Sequence, residues 1–97
     1  MPVIKTYAVD IDGTLCVERS EWWLYATAEP IKKNIRKINR LKRLGHTIIL
    51  YTARFEEDRE VTEAWMKKYR VQYDKIVFGK LRADHYVDNC SLRMEDL

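Results

Sequence analysis

Asp10 and Asp12 flank a single isoleucine at the point where the apolar run 7–11 gives way to Gly13-Thr14-Leu15. A solvated turn would explain two acids there, but an acid pair closing an apolar run is also where working carboxylates are placed. Residues two apart on an extended strand end face the same way, and a glycine turn brings backbone amides around the same spot. The next polar residues to close apolar runs are Thr52, Lys80, Asp84, Asp88 and Asn89. Carboxylates gathered from separate strand ends repel each other unless a cation lies between them. A site of few carboxylates, completed by water and phosphate, suits Mg²⁺. Lys80 supplies a point charge and Thr52 a hydroxyl, groups that hold phosphate oxygens while a phosphoryl group moves. Singly, Thr52 is an ordinary turn residue and Lys80 an ordinary surface lysine; as a set they read as phosphoryl transfer. Arg54 offers a fork-shaped donor to phosphate, against the common outcome of a solvated loop arginine.

These residues need strand ends to hold them. Residues 7–11 read as a buried strand ending near Asp10 in a tight turn at Gly13. Ile31, Ile35, Ile38, Leu41 and Leu44 recur at helical spacing, with Pro30 suited to the first helical position and Gly45 to the position past the end. Residues 47–51 form a second β-branched run closed by Thr52. Acidic residues from Glu56 to Glu60 suit a helix N-terminus, and Val61, Ala64, Trp65, Met66 and Tyr69 give that helix an apolar side to about Arg70. Residues 73–78 form a third strand closed by Gly79, and residues 85–87 a short fourth one closed by Asp88-Asn89. The order β-α-β-α-β-β predicts one α/β domain over residues 1–97, a mostly parallel, Rossmann-like sheet flanked by helices. In such sheets ligands bind at the carboxyl ends of the strands.

The 97 residues are 46% hydrophobic, enough for one core, and carry a net charge of +3. The basic stretch Lys32, Lys33, Arg36, Lys37, Arg40, Lys42, Arg43 contains no acid and reads as a solvated helix face before a nucleic-acid surface. Two distant cysteines, Cys16 and Cys90, read as small buried residues; with His46 or His85 they match no zinc spacing. No charged-then-apolar leader opens the chain and no apolar run reaches the ~20 residues of a membrane span, so a cytoplasmic setting without a membrane partner is expected. Trp22, Trp23 and Tyr25 read as satellite core, or more sharply as a patch facing substrate or a second copy. Self-association stays open.

Asp10-Ile11-Asp12-Gly13-Thr14-Leu15 resembles the first signature motif of the haloacid dehalogenase superfamily of phosphatases. Thr52 after Ile48-Ile49-Leu50-Tyr51 resembles its second, Lys80 its third and Asp88-Asn89 its fourth. The wider pattern, with Pro30, Thr52-Ala53-Arg54, Tyr73-Asp74 and Gly79-Lys80, is similar to short phosphatases of bacterial capsule or surface polysaccharide synthesis. The resemblance implies a capless phosphomonoesterase acting on a small phosphate ester, a sugar phosphate before a nucleotide or nucleic-acid end. It implies that Asp10 attacks phosphorus to form an aspartyl-phosphate and that Asp12 is acid, then base. It further implies Mg²⁺ on the side chains of Asp10 and Asp88 and the carbonyl of Asp12. Thr52 and Lys80 would hold phosphate, helped by amides near Gly13 and Ala53. Asn89 departs from the second acid more usual there, which points to an outer-shell role and a weaker site, with Asp84 as the nearby acid that could compensate. The departure leaves room for a degenerate member that binds phosphate without turnover. A receiver-like signalling module fits worse, because strand two ends in Tyr51-Thr52 rather than in an acid.

Overall fold

The computed structural model describes residues 3–19 and 21–97. Its regular elements are β1 (Thr6–Val9), a 3₁₀ helix (Trp22–Thr27), α1 (Lys32–Arg43), β2 (Thr47–Tyr51), a 3₁₀ turn (Glu56–Asp58) running into α2 (Arg59–Lys68), β3 (Lys75–Val77) and a last 3₁₀ turn (Met94–Asp96). The strands make one parallel sheet in the order β1-β2-β3, with Thr6 opposite Thr47 and Ile49 opposite Lys75. The result is a small α/β domain with the strand-helix alternation of a Rossmann-like sheet.

The continuous run Thr47–Tyr51 takes the central place, where Ile48 and Leu50 are fully buried and Ile49 half-buried. Around it pack Val9, Ile11, Leu15, Ile35, Ile38, Trp65, Met66, Val71 and Ile76. The indole Nε1 of Trp65 donates to the Ala28 carbonyl at 2.9 Å, tying α2 to the segment that enters α1. Both helices end in the same doubly bonded cap. After α1, the amides of Gly45 and His46 reach the carbonyls of Lys42 and Leu41; after α2, those of Arg70 and Val71 reach Lys67 and Met66. The cap needs a left-handed residue, supplied by Gly45 (φ 97°) in the first case and by Arg70 (φ 57°) in the second.

β1 ends at Val9, beside the expected Asp10, because the Ile11 carbonyl accepts the amides of Thr14, Leu15 and Cys16 and so turns the chain out of the strand. Three expectations are corrected. The third strand is shorter than residues 73–78. No strand forms at residues 85–87: His85, Tyr86 and Val87 are all exposed, Val87 at 94%. Three residues bracketed by Asp84 and Asp88 offer too little apolar surface to fix a strand without backbone partners. Cys16 is buried as expected, but Cys90 is exposed. Among the described residues no helix is long and apolar enough to cross a membrane.

Candidate active site

The turn after β1 is set by two features: the Ile11 carbonyl with its three amides, and Gly13 at φ 81°, whose own amide donates to the Cys16 carbonyl at 2.8 Å. Ile11 and Leu15 are fully buried on either side, so the turn is anchored in the core. Asp10 and Asp12 open onto a pocket of about 190 Å³, joined there by Ala53 and Lys80 from the ends of β2 and β3. The pocket also takes Glu18, Arg82 and Tyr86. Nothing in the sequence singled these out. Glu18 follows the turn closely, whereas Arg82 and Tyr86 lie in a stretch read as the approach to a strand.

The ends of β2 and β3 are clasped by main chain alone. The Thr52 amide donates to the Val77 carbonyl at 3.0 Å, the Lys80 amide to the Thr52 carbonyl at 2.9 Å, and the Gly79 amide to the Arg54 carbonyl at 3.0 Å. Gly79 has φ 83°, which lets the chain fold back so closely. Thr52, expected to hold phosphate, does not line the pocket: it is fully buried, and its Oγ1 accepts the Arg54 amide at 3.1 Å instead. The Lys80 ammonium lies 4.2 Å from the Tyr86 ring centroid and 5.3 Å from that of Tyr51, a cation held between two aromatic faces at the pocket wall.

Arg54 does not reach into the pocket as a phosphate ligand. It is 1% exposed, and its Nε and Nη2 donate to both oxygens of Asp12 at 2.9 and 2.8 Å. Nη1 donates to Thr62 of α2 at 3.0 Å, and the guanidinium stacks 3.8 Å over the Tyr25 ring. A planar fork inside the core, with its charge met by one carboxylate and one aromatic face, positions Asp12 rather than substrate. Cys16 fills the remaining contact, 3.7 Å from Asp12 Oδ1, and burial pushes its thiol up to about 12, which leaves it inert.

Burial raises the pKa of Asp10, partly offset by the nearby Lys80 charge and by the Ile11 amide on Oδ1 at 2.9 Å. Asp88 has the opposite surroundings. Its carboxylate is held below the usual range, first by the Cys90 amide at 2.8 Å and then by Ser91, and it is exposed. Asp84 and Asn89 are exposed too, and none of the three lines the pocket. Of the residues the resemblance assigns to the metal and its outer shell, the structure therefore brings Asp10 and Asp12 to one pocket and leaves Asp88 and Asn89 outside it. Among the described residues no group of three or more His, Cys, Asp or Glu side chains is placed to hold a metal ion. The side chains facing the pocket are hard-oxygen donors of the right kind, but the full set is not assembled.

No family model matches the chain, and no curated protein is similar to it at a significant level. Among solved structures, it is similar to an MCSG target from Vibrio cholerae, with 28% identity, 96% of this chain and 86% of that chain covered, and a TM-score of 0.79. It is also similar to a chain of the Pnkp1/Rnl/Hen1 complex at 24% identity and a TM-score of 0.68, covering 84% of this chain but 30% of that one. The second likeness is one of fold alone.

Proposed function

We propose that the chain is a small, capless phosphomonoester hydrolase of haloacid-dehalogenase type, Mg²⁺-dependent, with Asp10 as nucleophile. The observation that carries the reading is the convergence of Asp10 and Asp12 from the end of β1, Ala53 from that of β2 and Lys80 from that of β3 on one pocket. Asp10 attacks phosphorus; the bond to the ester oxygen breaks, and that oxygen takes a proton from Asp12. Water then attacks the aspartyl-phosphate, Asp12 recovers a proton from it, and phosphate leaves with Asp10 restored. Arg54 holds Asp12 between these steps and must release one of its two hydrogen bonds for the proton to move. Lys80 and the Ala53 amide take the phosphate oxygens. Bound Mg²⁺ would neutralise phosphate charge, with Asp10 as the donor best placed to hold it.

The favoured substrate is a sugar phosphate, with nucleotides and nucleic-acid ends next. A panel of these esters with Mg²⁺ tests the reading: phosphate release lost in Asp10→Asn supports it. No release above that variant across the panel overturns it. Phosphate binding without release is the second reading, a regulatory module, favoured by the position of Asp88 and Asn89 outside the pocket.

A further inference from the structure

A second cavity, of about 510 Å³, lies between the 3₁₀ helix Trp22–Thr27 and the start of α2. Trp22 and Trp23 form one wall, 65% and 63% exposed and set edge to face with ring centroids 5.7 Å apart. Glu57, Asp58, Glu60, Val61 and Ala64 form the other. Glu57 and Glu60 are exposed and make no ion pair among the described residues. Two large rings left in water beside unpaired carboxylates are poorly satisfied as a free surface, and their chemistry is specific. Aromatic faces with neighbouring carboxylates bind cations, guanidinium above all.

The matching surface is on the same chain. Lys33, Arg36, Arg40 and Arg43 follow one another at helical spacing along α1, a stripe about 15 Å long at 1.5 Å rise per residue. All four are exposed, and none is in an ion pair among the described residues, whereas Lys42 on the adjoining face is spent on Asp74. We propose that the tryptophan-carboxylate groove seats the basic face of α1 from a second copy of this chain. Arginine heads stack on Trp22 and Trp23 while Glu57 and Glu60 neutralise them. A chain that carries both halves of the interface meets its partner surface at its own concentration, and the attraction weakens with salt.

Sedimentation over a range of protein and salt concentrations tests the proposal, with tryptophan fluorescence as the local readout. The expected result is a mass that rises above the monomer with concentration, falls back with added salt, and is accompanied by a blue shift as Trp22 and Trp23 leave water. Glu57→Lys with Glu60→Lys weakens association by about a hundredfold or more, and so does Arg36→Glu with Arg40→Glu. The substituted residues are exposed, so unchanged melting temperatures verify that the variants fold. Mixing the two reversed variants restores association that neither shows alone. A monomer at every concentration overturns the proposal, as does assembly that survives both reversals or a mixture that stays apart.

Discussion

Residues 6–79 and residues 80–97 hold their polar groups in different ways. In the first region the bonds reach far: Arg54 to Asp12 across 42 positions, Asn34 Nδ2 to the Thr14 carbonyl, Trp65 to Ala28. In the second, every residue from 81 to 93 is exposed, and the bonds are local, Tyr86 to the Leu81 carbonyl, Cys90 to Asp88, Arg93 to Asp96. Its attachments to the body are the Lys80 amide at the start, and near the end Met94 and Leu97 against the core with Lys37 on the Met94 carbonyl at 3.1 Å. Long-range bonds fix where a side chain sits relative to the sheet; local ones fix only the shape of a turn. The body thus builds the proposed nucleophile and its proposed acid partner, while the tail carries Arg82, Tyr86, Asp88 and Asn89 on a segment that a ligand can reposition at low cost.

The comparison is sharpened first by Asp10→Asn, expected to lower phosphate release by at least about a thousandfold, as for loss of a nucleophile, without lowering the melting temperature. The next largest effect is on folding. Arg54→Ala leaves the Asp12 carboxylate without its partner and costs about 2–3 kcal/mol by denaturant titration, at or below the low end for a broken buried pair because Asp12 is 20% exposed. The tail change Arg82→Ala stays within about 0.5 kcal/mol in the same titration.

Asp88→Ala tests whether the tail joins the body. The proposed activity needs Asp88 near Asp10, so the variant is expected to require about ten- to a hundredfold more Mg²⁺, and Mg²⁺ with phosphate should slow alkylation of the exposed Cys90 in the parent. An unchanged Mg²⁺ requirement would confine the site to the body.

Two smaller effects probe the body alone. Arg70→Gly keeps the α2 cap and relieves a left-handed side chain, for a gain of about 1 kcal/mol in stability. Asp74 is held below its usual 3.8, first by the Ile48 amide at 2.8 Å and then by Lys42. A carboxylate lowered on folding stabilises above its unfolded value and loses that contribution as pH falls through the folded one. Asp74→Asn should therefore melt below the parent at neutral pH, with the gap closing in acid below about pH 4.

What the sequence made legible follows the same division. The extent of β2 is correct to the residue, because a β-branched run between Gly45 and Thr52 leaves no other boundary. α1 ends within a residue of the expected place, since periodic isoleucines and a glycine cap act locally, but it begins at Lys32, two residues after Pro30, because Ile31 is the N-cap. Asp10, Asp12, Ala53 and Lys80 line one pocket because each follows within three residues of a strand end. Arg54 escapes a reading from sequence because its partner lies far away in the chain and burial is not visible in a loop motif. The fourth strand was misread because three apolar-leaning residues look alike whether or not a neighbouring strand receives them. Glu18, Arg82 and Tyr86 belong to no pattern; only the folded pocket collects them.

The clasp between β2 and β3 has a consequence for how such a pocket can change over evolutionary time. Because Thr52, Arg54, Val77, Gly79 and Lys80 are joined through amides and carbonyls, the spacing of the two strand ends does not depend on which side chains stand at positions 53 and 80. Those positions resemble a socket whose fittings can be exchanged. Replacing Ala53 with a larger residue, or Lys80 with another donor, would alter what the pocket accepts while its frame stays in register.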